Sequence, residues 1–450
     1  MQQVWRYGPQ RKRAGMIPAV SARARHCRAA RDDIRAIRPH GRVGMLPVWL
    51  LAVAICVWGA SALAAGAGDS GKGRDSVDAL VKRAEALAKH DPRASVVMAE
   101  RAIARLPAGA ARRLEIASAF CLQRVMYAAE DALHVAERGA AAALAAGDRT
   151  SHARYLACRG YAQEKGEGTT AALASYDLGV REAEASGDRE TIADLYAYRG
   201  ELRHYLGDYE HAITDLDASY RLYVETGSGE GQRYALNAMA NLYSDPNVGE
   251  HARAIEYYRQ LLAQDLKEGA EAEVATAYYN LAGSYEMLGR LDEALADYSK
   301  ALAIDTRLGD GDSVAQERLS IGSVLRKQGD AQASLQWIEQ AMAYYDTHRH
   351  PEGIARVRVQ RGQTLAALGR NREALEDLGA AAEFFSQQDN PRVLATIHGE
   401  TAAIHAAAGD WRNAYTALLA QRDARKLLDQ RLIDRQTQRL RVEFDSSRKE

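Results

Sequence analysis

The 450-residue sequence predicts an all-α fold, a solenoid of stacked helix pairs, and three observations carry that prediction. Glycines stand 40 residues apart at Gly249, Gly289, Gly329, Gly369 and Gly409, and Gly207 comes 42 before the first of them. Between them apolar residues recur at i, i+3, i+4 and i+7, the period of one helix face. The composition agrees: alanine, leucine, arginine and glutamate dominate, and only nine prolines occur, so little in the chain interrupts a helix. A unit of this kind buries its apolar face only against its neighbours, so chain length does not count domains here.

The N-terminal part stands apart from the rest. Residues 1–64 hold 11 Lys and Arg against only Asp32 and Asp33, which leaves 48 basic and 58 acidic residues, a net of −10, for the remainder. That acidic body argues against nucleic acid as a partner, because phosphate binding needs a basic stripe. Residues 1–44 are an Arg-rich leader with no sustained apolar period, either disordered or, if translation starts at Met45, not translated at all. Residues 45–64 read MLPVWLLAVAICVWGASALA, an apolar run flanked by Arg38 and Arg42 and closing on Ala62-Leu63-Ala64. This is the pattern of a cleaved secretory signal. It also approaches the roughly 20 apolar residues of an uncleaved membrane anchor. Bulky Ile55 before Cys56 speaks against a lipoprotein. The expected location is periplasmic or secreted, or anchored in the inner membrane, with the apolar segment as the only membrane contact.

After a linker at 65–74, the solenoid spans 75–429. A capping pair at 75–107 is broken at Asp91-Pro92 and ended by Pro107. Repeats fill 108–429, at about 108–147, 148–187, 188–227, 228–269, 270–309, 310–349, 350–389 and 390–429. Gly147-Asp148, Gly187-Asp188, Gly227-Ser228 and Gly309-Asp310 each join a helix stop to a helix N-cap. Pro351 and Pro391 occupy the same slot, where no helical N–H is lost. An insertion, Ser244 to Val248, sits in the inter-helix turn of the 228–269 unit. Cys121 and Cys158 fall on consecutive first helices. A bridge between them requires Cα atoms within about 7 Å, and two small buried thiols are the simpler reading.

Residues 430–450 change character, with Ile433, Leu440 and Phe444 as a thin seam near heptad spacing. A connector helix, or the start of a coiled coil that self-associates, is expected there.

The clearest unit reads Tyr278-x2-Leu281-Ala282-x2-Tyr285-x3-Gly289, followed by Ala294-x3-Tyr298-x2-Ala301. This resembles the tetratricopeptide signature, W-x2-L-G-x2-Y and then A-x3-F. Gly200, Gly322, Gly362 and Ala402 match its small site, and Ala212, Ala254, Ser334, Ala374 and Ala414 match its tight site on the second helix. The period of 40 rather than 34 lengthens the helices by roughly a turn each. The resemblance implies a right-handed α-solenoid with a C-terminal extended helix. It also implies that positions two, five, nine and twelve of each first helix line a concave groove. Those positions are Tyr234, Asn237, Asn241 and Ser244; then Thr276, Tyr279, Gly283 and Glu286; then Gln316, Leu319, Ser323 and Arg326. Of these, Tyr234, Asn237, Asn241, Tyr279, Glu286, Gln316 and Arg326 are the candidate ligand contacts. The lysines of the family's two-carboxylate clamp are missing.

Catalytic chemistry is not apparent. The sequence holds no Walker loop, HExxH, CxxC or GxSxG motif. Gly227 to Gly231 lacks the strand that a phosphate-cradling loop follows. His348 and His350 near Asp346, and His398 with His405, fall short of the three or four convergent ligands a metal needs. No enzyme activity and no cofactor are expected. Tyrosines outnumber phenylalanines 22 to 4, and most should pack between helices with hydroxyls reaching the surface. Asparagine, which donates and accepts at once, suits a peptide backbone. The expected function is therefore a non-catalytic scaffold in the cell envelope that holds a peptide or protein in its groove. The alternative comes from the tail: Arg439 to Glu450 resembles the connector of bacterial sensors whose periplasmic tetratricopeptide region feeds a diguanylate cyclase or histidine kinase. In that case these residues are the sensory input alone.

Overall fold

A computed structural model describes residues 76–447 apart from 89–90, 128–130 and 166–167. The leader, the apolar segment at 45–64 and the linker at 65–74 lie outside the described residues. Those that are described form 19 helices and no strand. The helices are α1 Val77–Ala88, α2 Pro92–Ala104, α3 Ala111–Ala119, α4 Cys121–Tyr127, α5 Ala132–Ala146, α6 Arg149–Lys165 and α7 Thr169–Ser186. Next come α8 Arg189–Leu206, α9 Tyr209–Thr226, α10 Gly229–Tyr243, α11 His251–Glu268, α12 Glu271–Met287 and α13 Leu291–Leu308. The last six are α14 Gly311–Lys327, α15 Ala331–Thr347, α16 Pro351–Ala367, α17 Asn371–Gln387, α18 Pro391–Ala407 and α19 Trp411–Ser447. Among them none is long and apolar enough to cross a membrane.

The chain divides into two compact units, with the division after Ile116. In the first, α1 packs against α2, and Asp91 caps the start of α2. Its carboxylate accepts from the Ala94 N–H at 2.9 Å, and Pro92 follows at the first helical turn. The second unit is built of antiparallel pairs from α6/α7 to α18/α19, each pair packed on the next.

Local chemistry explains where these helices stop. The glycines at 207, 249, 289, 329, 369 and 409 all adopt positive φ, between 68° and 94°, which costs a residue without a Cβ nothing. Asp148, Asp188, Ser228 and Asp310 each accept the N–H three residues on, as N-caps do. In the two units that close without glycine, Arg349 and Asp389 take the left-handed conformation at φ 50°. His350 and Asn390 then cap the helices that begin at Pro351 and Pro391. His350 is thus a structural residue: its Nδ1 accepts the Gly353 N–H at 2.9 Å.

Packing follows the small–large rule. A Cβ on Gly322 would stand 2.7 Å from Ile338, and one on Gly362 would stand 2.8 Å from Leu378, so the two helices of a pair approach to where only glycine fits. Ala212, Ala254, Ala294, Ser334 and Ala374 are all fully buried. The insertion from Ser244 to Val248 forms the turn before α11.

Two readings need correction. Cys121 and Cys158 are bonded, with Cα atoms 5.9 Å apart, so the free-thiol reading fails. The tyrosines of the second helices also do not send their hydroxyls outward. Tyr176, Tyr258 and Tyr298 are essentially fully buried. Each reaches across its pair to the first helix, donating to Glu164, Asn241 and Glu286 respectively.

The C-terminal helix α19 is continuous over 37 residues and, besides pairing with α18, runs beside α7 and α8. Ile433 of the predicted seam is 54% exposed. The side chains of Leu440 and Phe444 lie outside the described ones.

Candidate functional site

The side chains at the expected groove positions sit on the first helix of each pair, and one geometric rule relates them. Because the unit is 40 residues and a helical turn is about 3.6, a residue faces the neighbouring first helix one repeat on and one turn back, 37 residues away. Hydrogen bonds at that separation recur. Gln316 Nε2 donates to the Tyr279 hydroxyl at 3.0 Å, and Ser323 Oγ to Glu286 at 2.9 Å. Arg326 Nη2 donates to Gln363 Oε1 at 3.2 Å, and Gln363 Nε2 to Glu400 at 3.0 Å. Arg154 and Thr191 repeat the pattern earlier in the array. At these positions polar side chains are thus bonded laterally from helix to helix.

A depression lies on α12, α14 and α16. Tyr279, Glu286, Gln316, Leu319, Ser323 and Arg326 line it, together with Gln360 and Gln363. The predicted residues in it differ in what they leave for a ligand. Tyr279 is only 3% exposed, and its ring stands edge-on to Tyr298 at 5.2 Å. Its hydroxyl is bonded to Gln316 and Ser320, so the residue is taken up by the scaffold and is not a direct ligand contact. Glu286 is buried and saturated: Lys327 Nζ lies at 2.6 Å, and Ser323 and the Tyr298 hydroxyl also donate to it. As a direct ligand contact Glu286 is corrected to an organiser of the floor. Arg326 makes a single hydrogen bond, to the neutral Gln363, and its Nε is sealed from solvent without an acceptor. Burial pushes its pKa below the ordinary arginine value.

The residues on α10 divide similarly. Asn237 is half-buried and makes no hydrogen bond to any described residue, so its amide is free to both donate and accept. Asn241 has its Oδ1 engaged by the Tyr258 hydroxyl at 2.8 Å, so part of its acceptor capacity is already used. Tyr234 donates to Glu201, and its ring meets Tyr198 edge-on at 6.0 Å.

Glu201 belongs to a second cluster, on α8, that the sequence reading did not single out. Asp194 and Glu201 occupy positions two and nine of α8, so the register already written for three helices reaches them when applied one repeat earlier. The Tyr223 hydroxyl donates to Asp194 at 2.5 Å. Neither carboxylate has a cation within ion-pair distance among the described residues. Burial raises the pKa of Asp194 to about 6. The same register one repeat later adds Arg356, Val359 and Gln363 on α16, all at the depression. Arg356 is paired with Glu352 at 2.6 Å. No group of three or more metal-ligating side chains converges among the described residues.

Known proteins agree with this architecture. The family model described as tetratricopeptide repeat matches residues 273–347. No curated protein matches the chain by sequence. Solved structures match it by fold. The apo form of RapI has a TM-score of 0.65 at 13% identity, covering 79% of this chain and 98% of its own. A Rap protein complexed with Competence and Sporulation Factor has a TM-score of 0.55 at 13% identity, covering 80% and 99%. The apo quorum sensor NprR from B. thuringiensis has a TM-score of 0.59 at 12% identity, covering 77% and 97%.

Proposed function

Taking as premise that the chain is a tetratricopeptide-repeat protein, we propose that it is a non-catalytic binding module whose concave face holds an extended peptide segment. The observation that carries this reading is the state of Asn237. Its neighbours are bonded to one another, whereas Asn237 presents an unused donor and acceptor together on the groove-facing side of α10, the pairing that a peptide backbone satisfies. The Rap structure solved with Competence and Sporulation Factor supports a ligand on this type of scaffold. Titrating a peptide array against the full chain and its Asn237→Ala variant tests the reading. Loss of one backbone hydrogen bond should weaken binding by about 1 kcal/mol, with an unchanged melting curve. Equal binding with a lowered melting temperature would make Asn237 a packing residue and sink the reading.

The location we propose is outside the cytoplasm. The apolar segment at 45–64 and its A-x-A ending support export, and the Cys121–Cys158 bond suits an oxidising compartment. Mass spectrometry of the mature protein should find an N-terminus near Ala65. A cytosolic, full-length product would overturn export.

A second reading, sensory input to a signalling enzyme, is supported by α19, which runs on past the last repeat through Ser447 as one helix. A cyclase or kinase coding region directly downstream in the DNA would favour it, and unrelated DNA there would count against it.

A further inference from the structure

We propose that Arg326 anchors a carboxylate of the bound peptide, an inference that rests on the groove reading above and names one contact within it.

Arg326 projects from position twelve of α14 into the depression. A guanidinium has five N–H donors and no acceptor, in a planar fork that matches a carboxylate. Here one donor reaches the Gln363 carbonyl oxygen, and Nε–H is buried with nothing to bond. An unbonded, desolvated donor leaves the guanidinium under-bonded, and the N–H donors that Gln363 does not use are the ones left for an incoming acceptor.

The surrounding charges are already spoken for, which is why the incoming group should be anionic. Lys327 and Glu286 neutralise each other at 2.6 Å. Arg356 is paired with Glu352 at the same distance. The remaining carboxylate nearby is Glu400, and Gln363 stands between it and Arg326, accepting from the guanidinium and donating to Glu400. One side-chain amide therefore keeps that pair out of direct contact. Among the described residues Arg326 has no carboxylate within ion-pair distance. A half-buried guanidinium whose partner is an amide is under-compensated, and a ligand carboxylate supplies the charge that Gln363 does not.

The family's clamp uses lysines that this chain lacks, so the anchor is a single arginine set among neutral donors, with Gln316 and Ser320 beside it. The carboxylate comes either from the C-terminus of the peptide or from an Asp or Glu side chain. Both present the same two oxygens.

The test uses the purified full chain and three synthetic octapeptide pools. One has free C-termini and no Asp or Glu. The second is C-terminally amidated and contains both acids. The third is amidated and contains neither. Retained peptides are quantified by mass spectrometry. Retention of the first or second pool at least tenfold above the third is expected, and the better of the two identifies the source. Arg326→Gln should abolish that preference while leaving the third pool unchanged. Arg326→Lys, which keeps the charge, should recover part of it and covers the case in which the glutamine variant fails to fold. If the third pool is retained as well as the others, or Arg326→Gln keeps the preference, the anchor is overturned while the groove reading stands. Retention of no pool overturns both.

Discussion

Residues 117–243 and residues 270–389 use the same scaffold and hold it together differently. In the later region the repeats follow the consensus closely, and groove-facing charges are met by opposite charges, as Glu286 is by Lys327. In the earlier region first helices are tied covalently by Cys121–Cys158, and groove-facing carboxylates are met by tyrosine hydroxyls: Glu164 by Tyr176, Asp194 by Tyr223, Glu201 by Tyr234. A tyrosine hydroxyl satisfies a carboxylate's hydrogen bonding without neutralising it. The early region therefore holds Asp194 and Glu201 with no ion-pair partner among the described residues, and the later one carries the under-bonded Arg326. Regularity of sequence and completeness of bonding are separate properties, and the less regular region depends on bonds the repeat pattern does not provide.

The disulfide gives the largest expected difference between the two. It closes a loop of 37 residues, and in the chain-entropy account a loop of that length stabilises by about 4 kcal/mol. Replacing Cys121 and Cys158 with serine should lower the melting temperature and raise hydrogen exchange in α4 to α7 well before α12 to α17, because stability in such arrays is local. Exchange that rises uniformly would mean that the two regions unfold as one.

The next contrast is in pH dependence. The folded pKa of Asp194 is raised to about 6, above the roughly 3.9 of an unfolded aspartate. Its contribution is fully present below pH 4 and lost as pH rises through 6, a change of about 3 kcal/mol. Asp194→Asn keeps an acceptor for Tyr223 and removes the titration. The variant should exceed the wild type in stability at pH 7 and match it at pH 4. Parallel curves for the two proteins across that range would show that Asp194 does not carry the difference.

In the later region the corresponding weakness is steric. Ala294 is fully buried at the tight site between α12 and α13. Ala294→Leu should overpack it at a cost of roughly 1–3 kcal/mol, with the damage spreading to adjacent pairs first. An unchanged melt would mean that the pair has room the structure does not show.

Much of this was legible in the sequence because it is local. Stop glycines, N-caps and small packing sites each depend on a few residues, so Gly289, Asp310 and Ala294 declare themselves. The lateral bonds do not, because they depend on the offset between neighbouring helices. That offset reduces to a number, 37, which relates Gln316 to Tyr279, Gln363 to Arg326 and Cys158 to Cys121 alike. With it, the disulfide was readable from spacing. The roles of Tyr298 and Tyr258 were not, since nothing in a helical period tells which way a buried hydroxyl reaches. For the same reason Tyr279 and Glu286 occupy groove positions and yet are consumed by the scaffold.

The smallest expected effect concerns how the repeats end. The early region closes its units with Gly147, Gly187 and Gly227, all at positive φ. The later one closes two of its units with Arg349 and Asp389 at φ 50°. A residue with a Cβ is strained in that conformation by about 1 kcal/mol, and glycine relieves it while adding freedom to the unfolded chain. Arg349 is exposed, so Arg349→Gly should be net stabilising by about 0.5 kcal/mol. Asp389→Gly should gain less, because Arg431 donates to the Asp389 side chain and that exposed pair, worth a few tenths of a kcal/mol, is lost. Comparing the two melting temperatures with wild type checks both the sign and the order. A drop for Arg349→Gly would mean that its side chain holds the turn in a way backbone strain does not capture. The early units, already closed by glycine, have no such gain available, so the asymmetry between the regions should appear even in this least demanding measurement.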